Sequence, residues 1–389
     1  MKIIKKDGTV EGWNGEKIKE AVYKAAARVN QYVEPDVLNK LVEKVHSCLI
    51  IDRDAPTKDL HKEVIHYLKY FGLTDVANSY QEYRDYKNTY AKSFEKVKDE
   101  ADNVLLLGDR ENANFDSSLV STKGSLIKGY LTKELYRQFY LSKEEKELTK
   151  RGDIYIHDMR DMLMGSVNCC LFDIGNVLRG GFSMSNVDYT EPTSVLSALQ
   201  VIGDITLVAT AQQFGGFTLA EIDKVLLPYA KKTYDNAFKK YFEQCNMEYD
   251  ESCAMAMGDL RRELEQGFQS LELKLNTVPC SRGDFAFTTL TFGTWDIMMD
   301  DLDRDIMRMI GETILKTRMK GHGGKQVVFP KLVFLYDEDK IKEDEDHKEL
   351  FDLAVQCSSK CMYPDYLSLN HGKVADIYKR TGAITSPIN

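Results

Sequence analysis

Asn168-Cys169-Cys170 sets two thiols side by side, and His157-Asp158 precedes them closely in the chain. Thiols that can give up a hydrogen atom, near an imidazole that moves protons close to neutral pH, point to thiol redox or radical chemistry. The competing reading of each cysteine is a small residue filling a core, and His157 with Asp158 equally suits a structural hydrogen-bonded pair. Glu111-Asn112-Ala113-Asn114 offers donors and acceptors suited to ribose hydroxyls or phosphate, or to capping a helix. The pairs Gly180-Gly181 and Gly215-Gly216 permit close backbone approach, with packing the favoured reading of both. Cys357 and Cys361 stand four apart on an expected helix, a spacing that one metal-binding face would have. No second ligand pair accompanies them, so core packing is expected and no metal site is assigned. Cys280 is given no catalytic role.

The chain bounds these readings. With 389 residues, 43% hydrophobic and only 8 prolines, it can form two or three domains around sizeable cores. It opens without an apolar stretch of signal-peptide length, and no run approaches a membrane span, which predicts a cytoplasmic protein with reduced thiols. The net charge of −9 argues against broad nucleic-acid binding, while leaving room for a local basic pocket around a nucleotide phosphate. Neither a Gly-x-x-x-x-Gly-Lys phosphate loop nor a Gly-x-Gly-x-x-Gly fingerprint occurs, so hydrolysis and dinucleotide cofactors are not indicated.

The elements that must position these residues fall into two units, 1–93 and 94–389. The first opens with two strand-like segments about a turn at Lys6-Asp7-Gly8, followed by helical patterns over 15–30, 34–49 and 57–71. Pro56-Thr57 is read as a helix start with Thr57 as cap, and 74–88 as a last helix. The charged run 92–102 reads as a connector or exposed helix. In the second unit a short β-like segment is expected up to His157-Asp158. Helical stretches at 195–215, 219–245, 252–275, 301–319 and 346–361 then alternate with apolar strands such as 326–335, which predicts an α/β architecture.

Lys5-Lys6-Asp7-Gly8, Glu11, Asn14, Lys17-Ile18, Thr57, His61 and Ala77-x-x-Tyr80-x-x-Tyr83-Arg84 together resemble the ATP-cone, the allosteric nucleotide-binding module of ribonucleotide reductases. The resemblance implies ATP and dATP as effectors, held by Lys5, Lys6, Glu11, Asn14, Lys17, Thr57, His61 and Lys87. Lysines suit the triphosphate, and Glu11 and Asn14 the nucleoside.

From about residue 105 the chain resembles the class III, anaerobic ribonucleoside-triphosphate reductases, which are glycyl-radical enzymes. The resemblance is carried by Glu111-Asn112-Ala113-Asn114, Gly152-Asp153 to His157-Asp158, Asn168-Cys169, Gly181-Phe182, Gln213-Phe214-Gly215-Gly216 and Leu275-Asn276-Thr277 with Phe292-Gly293. Val328-Phe329-Pro330-Lys331-Leu332 and Met362-Tyr363-Pro364-Asp365 complete it, in the same order. It implies part of a ten-stranded α/β barrel, with Cys169 as the reducing thiol and His157 assisting proton movement. Asn112, Asn114 and Asn168 would touch substrate. Relatives often carry a second histidine where this chain has Tyr155.

The family's thiyl-radical cysteine follows a Ser-Pro-Met-Gly-Cys-Arg segment, whereas this sequence reads Thr385-Ser386-Pro387-Ile388-Asn389. The radical cysteine, the radical glycine and a four-cysteine zinc site are therefore expected in a complementary carboxy-terminal polypeptide, and these 389 residues alone are expected not to reduce a nucleotide. The resemblance further implies ribonucleoside triphosphates and formate as substrates, a radical S-adenosylmethionine activase as partner, and a homodimer. The alternative from the same residues is an ATP- or dATP-binding regulatory fragment or inactive remnant.

Overall fold

The computed structural model describes residues 2–5, 8–49, 54–106, 116–165, 167–184, 186–213, 215–280 and 283–382. The chain divides into two compact units, Met1–Asp99 and Glu100–Asn389. Among the described residues no helix is long and apolar enough to cross a membrane.

In the first unit β1 (Lys2–Ile4) pairs antiparallel with β2 (Val10–Gly12), forming the hairpin that the turn residues predict. A strand with no sequence signal, β3 (Asp54–Pro56), joins β1 in parallel and sets Ala55 opposite Ile3. The helices α1 (Gly15–Arg28), α2 (Pro35–Leu49), α3 (Thr57–Tyr70) and α4 (Thr74–Leu106) follow. Ile18, Val22, Ala25 and Ala26 recur at helical spacing on α1 and are buried against Leu38, Leu41 and Val45 of α2, with Val64 and Leu68 of α3 in the same core. One expectation is corrected, and the charged run takes the second of its two expected forms, an exposed helix. Thr57 does not cap α3: Pro56 holds the cap position without a side-chain bond, and the Thr57 hydroxyl donates instead to the Ile4 carbonyl at 2.8 Å. The charged run 92–102 lies within α4, which contains neither glycine nor proline and continues unbroken through the charged turns.

The second unit begins with α5 (Val120–Phe139) and α6 (Lys143–Arg151), which Ser142 and Glu145 start with a reciprocal capping box. Gly152 then closes α6 in the left-handed conformation, and residues 153–158 run as coil and turn instead of the expected β-like segment. Beyond them come β4 (Cys170–Phe172), α7 (Ile174–Leu178), the hairpin β5 (Phe182–Met184) and β6 (Val187–Tyr189), α8 (Val195–Thr210), β7 (Phe217–Leu219), α9 (Ile222–Lys239) and α10 (Tyr249–Thr277). The remaining elements are β8 (Thr288–Phe292), α11 (Asp301–Lys320), β9 (Lys331–Tyr336), α12 (Glu338–Glu343), α13 (Glu345–Cys361), β10 (Asp365–Ser368) and α14 (Gly372–Thr381). Strands β10-β9-β8-β7-β4 form one sheet in that order, every pair parallel. This is the α/β architecture expected. Strands β7 and β8 are buried along their whole length, as a sheet covered by crossover helices requires. Strand β9 starts later than the apolar run 326–335 suggests, because Pro330 has no N–H for the ladder and Phe329 pairs with the Asn276 side chain instead.

Buried charges tie the crossovers to the sheet. Arg318 of α11 and Glu272 of α10 are both buried, with Arg318 Nε donating to Glu272 at 2.8 Å and Nη2 to the Pro330 carbonyl at 2.5 Å. His322 Nε2 lies 3.1 Å from the second Glu272 oxygen. At the turn from β7 into α9, the buried Asp223 carboxylate accepts from Gly293 N–H at 2.8 Å and from Lys224 N–H at 3.0 Å. Burial pushes the Asp223 carboxyl up to about 6, against the pull of those donors. Cys357 is wholly buried, its thiol 3.7 Å from the Leu315 carbonyl, and burial pushes that thiol up to about 12. Cys361 lies 3.7 Å from the Arg318 carbonyl, so both thiols serve helix packing.

Two outcomes follow. Glu272→Ala leaves the Arg318 guanidinium buried without its carboxylate and should destabilise the second unit by about 3–5 kcal/mol, read from the urea midpoint. Asp223 binds its proton more tightly folded than unfolded, so the stability it contributes is present at low pH and is lost as pH rises from about 4 to about 6. Melting temperatures across that window should show this loss in the parent chain and not in Asp223→Asn.

Candidate functional site

Cys169 immediately precedes β4, at its amino end and on the edge of the sheet. The approach to it is zipped to the approach to β7: Val167 bridges Gln213, Gly215 N–H donates to the Asn168 carbonyl at 2.7 Å, and Cys170 N–H donates to the Gly216 carbonyl at 3.1 Å. Cys169 is exposed, and its thiol donates to its neighbour Asn168 Oδ1 at 3.4 Å. Cys170 is half-buried, and burial with the adjoining Cys169 thiol pushes its own thiol up. Gln213 is buried and its amide Nε2 donates to the Gly215 and Gly216 carbonyls at 3.1 and 2.7 Å.

A cavity of about 570 Å³ adjoins this turn. It is walled by Ser121, Ser125 and Lys128 of α5, by Arg160, and by Gln212 and Gln213 at the end of α8. A second cavity, of about 560 Å³, is lined by Tyr130, Lys133, Arg137, Tyr155 and Asp158. Both share Gly129 and Arg160, and the Arg160 Cδ lies 3.5 Å from where a Gly129 Cβ would stand. His157 is exposed, bonded through Nδ1 to the Asp158 carboxylate, with the Tyr155 ring edge-on at 6.1 Å. No hydrogen bond joins His157 to Cys169. The two cavities meet at Arg160 and Gly129, which the sequence reading does not single out. A lysine four before a threonine along one helix face, interleaved with glycine and serine, is the only sequence signal for that wall.

In the first unit, Lys5, Glu11 and Lys17 meet as one ionic cluster: Lys5 Nζ lies 2.8 Å from Glu11, and Lys17 binds the other carboxylate oxygen. The Lys17 and Lys5 ammonium groups hold the Glu11 carboxyl down at about 2. Asn14 is taken up as the cap of α1, accepting from Glu16 N–H at 3.0 Å. Thr57 anchors α3 to β1, and His61, one turn further along α3, meets the buried Tyr80 hydroxyl at 2.6 Å. Lys87 lies over the Tyr83 ring at 5.0 Å. Lys6, Asn112 and Asn114 lie outside the described residues.

A five-stranded parallel sheet crossed by helices, in a chain whose first unit is a small helical module with a short hairpin, defines a two-unit α/β protein. Residues 111–385 match the anaerobic ribonucleoside-triphosphate reductase family and residues 1–89 the ATP cone domain. The chain belongs to the anaerobic ribonucleoside-triphosphate reductase family. It is 29% identical to the anaerobic ribonucleoside-triphosphate reductase of Escherichia coli over 399 aligned residues, covering 99% of this chain and 53% of that protein. It is 33% identical to the enzyme of the same name from Enterobacteria phage T4 over 268 residues, covering 68% of this chain and 42% of that one. The chain thus spans about half the length of the curated relatives it matches. Among solved structures it is similar to the Thermotoga maritima anaerobic ribonucleotide reductase in complex with dATP and CTP, at 17% identity and a TM-score of 0.46, covering 73% of this chain and 49% of that chain.

The ionic cluster has a direct check. In an NMR titration the Glu11 carboxylate should show a midpoint near 2, and Lys17→Ala should raise it by about 1 pH unit or more. An unmoved midpoint would remove the lysine as its cause.

Proposed function

We propose that this chain carries the ATP-cone and part of the catalytic barrel of an anaerobic ribonucleoside-triphosphate reductase, acting in the cytoplasm to make DNA precursors. The observation that carries the reading is the family match over residues 111–385, within which Cys169 is exposed. In that reaction the ribonucleoside triphosphate, formate and a proton become the 2′-deoxyribonucleoside triphosphate, carbon dioxide and water. Cys169 is the thiol that hands a hydrogen atom to the sugar. Asn168, whose side-chain oxygen accepts from that thiol, holds it and meets the substrate. Asn112 and Asn114 complete the substrate contacts. His157, kept in register by the Asp158 carboxylate, assists proton movement at the neighbouring cavity. The five parallel strands are one half of the barrel, whose interior would exclude water from the radical step.

The hydrogen-abstracting cysteine, the glycyl radical placed by a radical S-adenosylmethionine activase, and a zinc site are assigned to a complementary carboxy-terminal part. A homodimer is the expected assembly. Residues 1–93 are assigned the regulatory role: ATP and dATP bind there through Lys5, Lys6, Glu11, Asn14, Lys17, Thr57, His61 and Lys87. On this reading Lys5 and Lys17, paired with Glu11 in the ligand-free module, exchange that carboxylate for the effector's phosphates.

Reductase activity measured under strict anoxia with activase, formate and ATP tests the proposal. Activity is expected only when the 389-residue chain is combined with a carboxy-terminal part, and Cys169→Ser should bring it to background while ATP binding persists. Nucleotide binding without activity in any combination would favour the regulatory fragment instead.

A further inference from the structure

The turn Gln213–Gly216 does more than close α8. Gly215 has no space for a side chain: a Cβ there would stand 2.6 Å from Cys169 Sγ, 2.6 Å from the Asn168 carbonyl, and closer still to Asn168 Oδ1. Real Cβ atoms do not approach sulfur or oxygen so closely, so the glycine is required by the neighbouring thiol and asparagine rather than by its own backbone angles. The Gly215 N–H simultaneously grips the Asn168 carbonyl at 2.7 Å. What holds Gly215 in place is Gln213, buried, with one amide nitrogen bridging the carbonyls of Gly215 and Gly216. Gly216 in turn accepts from Cys170 N–H, so the residues on both sides of Cys169 are clamped by Gly215 and Gly216. Strand β4 is paired with β7 alone within the described sheet, so this clamp and the pairing it continues are the contacts that locate the thiol.

We infer that Gln213 and Gly215 are positioning residues for Cys169: Gln213 fixes the turn, and the bare Gly215 Cα gives the thiol its seat beside Asn168. The inference rests on the reading of Cys169 as the reducing thiol, which supplies the reason for such a seat. Hydrogen-atom transfer demands a thiol held within tenths of an ångström of its target, and placing it on a backbone clamp achieves this more rigidly than side-chain packing. Gln213 also walls the cavity of about 570 Å³, so a ligand there would bear on the turn that seats the thiol.

The thiol itself reports the clamp, independently of turnover. In the 389-residue chain under anoxia, iodoacetamide alkylation of each cysteine is followed by peptide mass spectrometry across pH. Exposed Cys245 serves as the reference and buried Cys357 as the sentinel for unfolding. Gly215→Ala and Gln213→Ala should each change the Cys169 rate at least threefold relative to Cys245, with Cys357 still protected. Gly124→Ala, where a Cβ meets nothing within 4 Å, should leave the ratio unchanged. An unchanged Cys169 ratio in both clamp variants overturns the inference. So does labelling of Cys357 in both, which would make the turn a general requirement of the fold. In the combined reductase assay Gly215→Ala should lower kcat at least tenfold with KM unchanged. If the parent protein shows no reductase activity, the reaction assigned to Cys169 fails, while the alkylation ratios still decide whether the turn seats it.

Discussion

The parallel pairing of β4 with β7 is the constraint on which the second unit's candidate site depends. Parallel strands cannot be joined by a tight turn, so the chain between them must leave the sheet, build α7, the β5–β6 hairpin and α8, and return in register. That register sets Cys170 opposite Phe217 and brings Gly215 against Asn168 and Cys169. A slip of one residue would turn every side chain of β4 to the opposite face and remove the thiol from its turn. Strands β7 and β8 are buried along their whole length in the core they share with α9, α10 and α11, and so hold fixed the ladder that β4 joins.

The same unit spends buried polarity where crossover helices meet strand ends. Asp223 ties the start of α9 to Gly293 at the end of β8, and Glu221 N–H adds a bond to Thr291 at 2.8 Å. Arg318 and Glu272 join α11 to α10 and to the carbonyl just before β9. Each is a buried group whose desolvation is offset only in one arrangement, so these bonds select the arrangement more than they add stability. The apolar core between them contributes the bulk of the stabilisation and tolerates small adjustments; the buried charges do not.

The first unit solves a different problem with similar means. Its core is small, and its hairpin is held by one hydroxyl, Thr57 to Ile4, and by β3 alongside β1. Lys5 and Lys17 share the single carboxylate of Glu11. These pairs stay hydrated, so the cluster rearranges at little cost.

Much of the local structure was legible in the residues themselves. Apolar positions four apart predict α1, α2 and α3, whereas the side-chain caps Ser142, Ser194, Asp300 and Asp344, which the sequence reading does not single out, emerge with the structure. The alternation of helices with apolar strands predicts the α/β class, and the ordered motifs point to the family and to Asn168-Cys169. What the sequence alone did not determine is which distant segments touch. Thr57 has the look of a cap but bonds a strand 53 residues away, and β3 has no pattern of its own to announce it. Gly215-Gly216 has the same sequence signature as Gly180-Gly181, yet only Gly215 lies against the thiol. Helical periodicity and capping are local and are written in neighbouring residues. The seat of Cys169, the Gly129–Arg160 wall and the Arg318–Glu272 pair arise from backbone register and volume exclusion between remote segments, which only the assembled sheet and its crossovers decide.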